Sequence, residues 1–469
     1  MKKVEVSVFT KKSLVWFVAA LFSVIAFLVL LYSPFRVGES PQDSVKKVYY
    51  VDNISEAHLK IIHEFNELNK GKIEVVPVNL PFYEFTTDDR KEILTSALRS
   101  RSSGIDIFAV DMIWVPRFAK WAYTLNNEFN ERTIASVDTL ALRPCYDGDS
   151  LVAFPLFLDE GLLYYRKDLI GSLPEGPKLE KEIQKGLTWK QFISISKLFQ
   201  SYQISHKRPS DDVYVFPGDE FEGMLCCFHG MLNDRESAKI FYQQSGDFRD
   251  PYATPSTGSR MDLVTHSAER ALQLMVNFVH SYKFSPAAVT QFDEFKSFRY
   301  AVDHDALFLK GWVGYPVQYR SLLSPEDAAK IPEMGIAPMP HFEGDSTSSV
   351  FGGWSLMISK FSNRKSEALK FIRFMFEKEN QEILYNYGGY LPVNDSVYQD
   401  DSFLGKHKRL VEAYRMLKWG RYRPFLQDYT RLSEIMAKYF HRALMNEISV
   451  KDALVQASKQ INIDNAFVK

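Results

Sequence analysis

VYYVDNISEAHLKIIHEFNELNKGKIEVVPV, residues 48–78, reads as strand, helix and strand in succession. Val48–Val51 is a short β-branched and aromatic run. In the following segment Ile61, Phe65 and Leu68 recur at helical spacing, with Ile62 beside them. Ser55 stands where an N-cap belongs and Gly71 where a C-cap glycine belongs. Lys72–Val78 is a second strand. Outward from this stretch, 88–100 predicts a second helix, and Ile105–Val110 (IDIFAV) a third strand that ends at Asp111. Strand–helix–strand–helix–strand argues for a parallel sheet covered by helices on both faces. Ligands of such sheets bind beyond the carboxyl ends of the strands. Asp52, Asn53 and Ser55 follow the first strand, and Asp111 and Trp114 follow the third, so these residues are expected on one rim.

Upstream, Lys2, Lys3, Lys11 and Lys12 precede an uncharged run over residues 13–35. That run is long enough for a helix to cross the hydrocarbon core, which needs about 20 apolar residues. It exceeds a signal-peptide core, and neither an A-x-A site nor a cysteine follows it. The basic flank places residues 1–12 in the cytoplasm. The expectation is a retained, single-pass signal-anchor in the cytoplasmic (inner) membrane, a polar linker over 36–47, and an extracytoplasmic remainder.

The middle and C-terminal parts continue the alternation. Runs 151–158 (LVAFPLFL) and 161–166 (GLLYYR) are strand-like. Thr188 and Gln191 form a capping box that opens a helix, with Leu187 placed to staple onto Phe192. Residues 267–281 are helical, 306–309 form a strand ending at Lys310-Gly311-Trp312, and 335–338 and 356–359 are further strands. Residues 364–385 predict one long helix, and the tail from Arg431 is helical. No internal repeat or low-complexity block interrupts the chain.

Composition excludes several classes. The 469 residues suit two or three compact units. Lys+Arg 57 against Asp+Glu 58, with no basic stripe, argues against a nucleic-acid partner. The three cysteines, Cys145, Cys226 and Cys227, form no CxxC and cannot build a full disulfide framework; they read as buried free thiols, a Cys145 bridge to one of the pair being the alternative. GxSxG, GxxxxGK[ST], HExxH and GxGxxG are absent, and the ten histidines form no ligand-spaced pair. No cofactor or metal is expected. A set of aromatics beside glycines at strand ends remains: Trp114, Tyr164, Trp312 and Trp354. Flat rings bury the C–H face of a pyranose while carboxylates accept from its hydroxyls.

GLLYYRKDL at 161–169, TWKQF at 188–192, FGGWSLMIS at 351–359 and RYRPFLQDYTRLSEIM at 421–436 occur in order, with Gln381 and Tyr390-Leu391-Pro392 between the last two. Together they resemble the extracellular solute-binding proteins (family 1) of ABC sugar importers, the maltose/trehalose-binding branch above all. The resemblance covers about Val48 to the C-terminus. It implies an α/β, two-lobed periplasmic-binding-protein fold (type II, maltose-binding-like) with hinge crossings, here preceded by the transmembrane helix. Lobe 1 would comprise 48–157 plus 312–353, and lobe 2 would comprise 158–311 plus 354–469. It implies a non-enzymatic monomer that captures a sugar and delivers it to ABC permease subunits. Residue by residue, Asp111 matches a hydroxyl acceptor and Tyr164 a cleft tyrosine. Trp312 matches a stacking tryptophan, Gly353 and Trp354 backbone and ring contacts, and Arg423 an arginine that reaches the cleft. Glu222, in FEGML, resembles a cleft acid. Asn53, Ser55 and Glu56 compete for the first-strand contact, Asn53 being favoured. Departures are the anchor and the Tyr49-Tyr50-Val51-Asp52 strand, which lacks the usual tryptophans. A sensing ectodomain with a separate membrane partner, and a glycosidase built on Asp111, Asp159 and Glu222, are the rival expectations.

Overall fold

A computed structural model describes residues 45–101, 104–207, 212–232, 240, 261–426 and 428–467. The expected cytoplasmic segment, transmembrane segment and all but the end of the linker lie outside these residues. Among the described residues no helix is long and apolar enough to cross a membrane.

Strands β1 (Lys46–Asp52), β2 (Ile73–Asn79) and β3 (Ile107–Asp111) form the parallel unit that the opening stretch predicts, in the order β2-β1-β3. The helix Glu56–Leu68 buries Ile61, Ile62 and Phe65, whereas Leu68 is exposed. A small hairpin, β4 (Tyr146–Asp147) and β5 (Ser150–Leu151), precedes β6 (Phe154–Arg166), a single strand of 13 residues. The run 161–166 and the run 151–158 from Phe154 onward are therefore one strand. Asp159-Glu160-Gly161 does not turn the chain, because its backbone is held by Phe351 and Gly352 on one side and Trp312 on the other. β7 (Tyr214–Val215), β8 (Phe308–Trp312) and β9 (Met334–Ala337) lie beside the second half of β6 or beyond it. β10 (Ser349–Ile358) is antiparallel to both β3 and β6, and β11 (Gly420–Arg421) pairs with its start.

β6 and β10 run through both lobes and change partners on the way. Trp354–Ile358 pair with β3 in the first lobe, while Gly161–Arg166 pair with β8 and β9 in the second. Two segments thus change sides relative to the expected boundaries. β9, within 312–353, belongs with the second lobe. The residues just after 354 belong with the first, because β10 enters that lobe at Trp354 instead of leaving it. The helix Lys365–Phe376 follows them there, its Phe371 packing edge-on against Tyr50 and Phe65.

The long helix expected over 364–385 breaks at Glu377, whose backbone is extended (φ -54°, ψ 144°). The side-chain amides of Asn380 and Gln381 donate to the carbonyls of Phe374 and Met375 at 2.7 and 3.0 Å, so the second helix caps the first. Thr188 caps Trp189–Ser205 with Gln191 in the reciprocal position, as the capping box predicts. All three cysteines are buried and free.

Gly353 occupies the point where β10 crosses between lobes. Its φ is +137°, and a Cβ there would stand 2.6 Å from the Phe157 carbonyl oxygen. Gly353→Ala is therefore expected to destabilise the fold by about 2–4 kcal/mol, from backbone strain and overpacking together, measured as a lowered urea midpoint.

Candidate functional site

A cleft of about 780 Å³, open to solvent, lies where β3, β6, β8 and β10 approach one another. Asp111 closes β3 and accepts from the Ile113 backbone N–H, which fixes its carboxylate at the strand end. The β10 ladder sets Trp354 directly opposite Asp111. From the other lobe comes Glu222, the first residue of the helix Glu222–His229. Arg423 joins them: its guanidinium donates to Asp111 Oδ1 at 2.7 Å and to Glu222 Oε1 at 2.9 Å. All three side chains are buried. Tyr429 donates a further hydrogen bond to Glu222 Oε1 at 3.0 Å. Burial pushes the Glu222 carboxyl up to about 7 despite the guanidinium beside it.

Trp354 is held from behind. The Arg90 guanidinium lies 3.9 Å from its ring centroid and 4.5 Å from that of Phe82, in cation–π geometry. Arg90 is itself buried and clamped by Asp52 Oδ1 at 2.8 Å. The end of β1 therefore shapes the cleft through Asp52, not through direct contact. Trp312 rests on Gly352, where a Cβ would come within 2.7 Å of the ring, and Lys310 Nζ stands 3.9 Å from the Trp312 centroid. Asp159 borders the cleft from β6, its Oδ1 accepting from the Val313 and Glu160 backbone N–H groups, each at 2.9 Å. Burial raises Asp159 and Glu294, each to about 7.

Of the residues singled out in the sequence, Asp111, Glu222, Trp312, Gly353, Trp354 and Arg423 line this cleft together. Three do not. Trp114 is buried one turn beyond Asp111, its ring 5.8 Å from that of Tyr429. Tyr164 is fully buried, its hydroxyl 2.6 and 2.8 Å from the Trp312 and Val313 carbonyl oxygens, so it supports the Trp312 turn from beneath. Asn53 accepts from the Phe82 backbone N–H at 3.3 Å and holds the loop that carries Phe82 into the cleft. The cleft also holds Asp159, singled out in the sequence only for the glycosidase alternative, and adds residues that no motif marked, among them Phe82, Phe157, Glu294, Tyr315 and Tyr319. Tyr315 and Tyr319 follow Trp312 within one helical turn or two, which is the one sequence cue they offered.

The carboxyls near 7 have a thermodynamic consequence. In the unfolded chain such groups titrate at about 4. Between about pH 4 and 7 the folded state then binds more protons, so this part of the stability is present at low pH and lost as pH rises to about 7. Asp159→Asn keeps an acceptor for the two backbone N–H groups and removes the titration. It is expected to reduce the fall in unfolding free energy between pH 5 and pH 8 by about 2 kcal/mol, read from urea midpoints.

Two α/β lobes sharing long strands, with an aromatic and acidic cleft between them, define a ligand-binding protein of the hinged, two-lobed class. The chain belongs to the bacterial extracellular solute-binding protein family, which it matches over residues 60–408. It is accordingly a binding protein and not an enzyme. A relative in Deinococcus radiodurans, described as a probable ABC transporter-binding protein, is 22% identical over 385 residues, covering 82% of this chain and 84% of the relative. Maltose-bound MalE3 of T. maritima shares the fold with a TM-score of 0.74 at 24% identity, over 89% of this chain and 100% of that one. An ABC transporter solute-binding protein of Thermotoga lettingae, bound with α-D-tagatose, gives a TM-score of 0.72 at 18% identity, over 90% and 100% of the two chains.

Proposed function

We propose that this protein is the extracytoplasmic substrate-binding component of an ABC importer. It captures a sugar, a disaccharide or oligosaccharide, between its lobes by hinge closure and delivers it to the permease subunits. The 13–35 segment tethers it, as a monomer, to the cytoplasmic membrane. The observation that carries the reading is the pairing of ring plates with buried acceptors: Trp312 and Trp354 at the cleft, with Asp111, Asp159 and Glu222 around them. Rings bury the apolar face of a pyranose and carboxylates order its hydroxyls. β6 and β10, which cross between the lobes, supply the hinge. The D. radiodurans relative and the sugar-bound structures of the same fold support the transport setting and the ligand class.

A thermal-shift panel on the chain beginning at Lys46 tests the reading. A ligand bound only by the folded state at a hundredfold excess over Kd adds about 2.7 kcal/mol, so one sugar in the panel should raise Tm by several degrees. A shift with peptides and with no sugar contradicts the ligand class.

A further inference from the structure

The charges around the cleft do not balance. Of its five carboxylates, Asp293 is answered by Lys296 at 3.2 Å. Asp111 and Glu222 share one cation, Arg423. Among the described residues Asp159 and Glu294 have no ion-pair partner; the charge that lowers both is that of Lys310, a buried side chain over the Trp312 ring. Four carboxylates thus face two cations. Among the described residues, three polar groups on buried side chains lining the cleft are also unpartnered: Glu222 Oε2, the Tyr315 hydroxyl and Arg423 Nε. A neutral sugar satisfies hydrogen bonds here, but it leaves the excess negative charge in a cleft that loses its water on closure. Uncompensated buried charge is costly, and a desolvated ion pair within a hydrogen-bonded site offsets that cost.

We propose that the ligand is a saccharide bearing an ammonium group, an amino sugar or a glycoside containing one, with Glu222, Asp159 and Glu294 around the cation. This rests on the sugar reading above and adds a charge to it. Trp312 and Trp354 then take the apolar faces of the rings, and Arg423 keeps Asp111 and one oxygen of Glu222 in place.

The test is a calorimetric titration of the full chain in detergent with matched sets. Each set holds a neutral sugar (glucose, maltose, trehalose or cellobiose), its counterpart with one hydroxyl replaced by an amine, and the N-acetylated form of that amine. The tightest amine is expected to bind about 10-fold or more tighter than both neutral members of its set. That ratio should shrink between 50 and 500 mM salt, roughly the range over which screening becomes strong. Glu222→Gln and Asp159→Asn should each bring the ratio of amine to neutral affinity toward one, whatever each does to the neutral sugar's own affinity. A neutral sugar bound as tightly as its amine overturns the charge proposal and leaves the sugar reading standing. Binding by no member of any set overturns both.

Discussion

Replacing Arg423 with alanine is expected to lower the unfolding free energy by about 3–5 kcal/mol, the cost of breaking a buried ion pair from one side. The reason is geometric. Arg423 lies in the segment between β11 and the helix Tyr429–Leu444, and it is 3% exposed. Its two Nη atoms reach carboxylates from both lobes, so its loss strands Asp111 and Glu222 together in a buried place. Arg423→Lys should recover part of the loss, since an ammonium keeps the charge but not the fork that meets two acceptors at once. The triple variant Asp111→Asn, Glu222→Gln, Arg423→Met should be close to wild-type stability, because it removes the charges together. Urea unfolding of the three variants checks this. A stable Arg423→Ala protein would mean that the two carboxylates take up protons at little cost.

Trp354→Ala is expected to weaken sugar binding by about 1–3 kcal/mol, roughly 5- to 150-fold. The ring is only 8% exposed, yet it borders the cleft, so a stacking role and a packing role must be separated. Arg90 provides the means. Its guanidinium packs on Trp354 and is tied to Asp52, so Arg90→Met should loosen the ring without touching a ligand. A double-mutant cycle between Arg90 and Trp354 should show coupling of about 1–2 kcal/mol in binding as well as in stability. Coupling in stability alone, with unchanged affinity for Trp354→Ala, would make the ring part of the core only.

The elements of this fold were readable where one stretch of chain decides its own conformation. The β1-helix-β2 unit, the Thr188 cap and the strand into Asp111 follow from spacing and local hydrogen bonding. The family resemblance carried by the ordered strings implied Asp111, Trp312, Gly353, Trp354 and Arg423 as cleft residues, and all five line one cleft, although Arg423 lies 312 residues from the carboxylate it meets. The misreadings have a common origin in contacts that apolar spacing does not report. Asp159-Glu160 separates two apolar runs in the sequence, but neighbours on both sides in the sheet hold the segment through Gly161 extended. Glu377 breaks a helix whose apolar spacing runs on without interruption, because the Asn380 and Gln381 amides reach back to its last carbonyls. The lobe boundaries depend on which strand each half of β10 pairs with, and no periodicity reports that. At the end of β1, Asn53 was the natural choice because it follows the strand. It is Asp52, the strand's last residue, that holds Arg90 behind Trp354. Tyr164 belongs to the most recognisable string in the chain, and its hydroxyl serves the backbone under Trp312.

In the proposed function the ligand seats between the lobes, against β3 and β10 on one side and the helices beginning at Glu222 and Glu294 on the other. Amide hydrogen exchange with and without the sugar that raises Tm tests it most directly. New protection is expected in both lobes at once, around Asp111 and Gly352–Trp354 and around Glu222–Gly223, Asp293–Phe295 and Trp312–Tyr315. Protection confined to one lobe, or found only away from these segments, would contradict it.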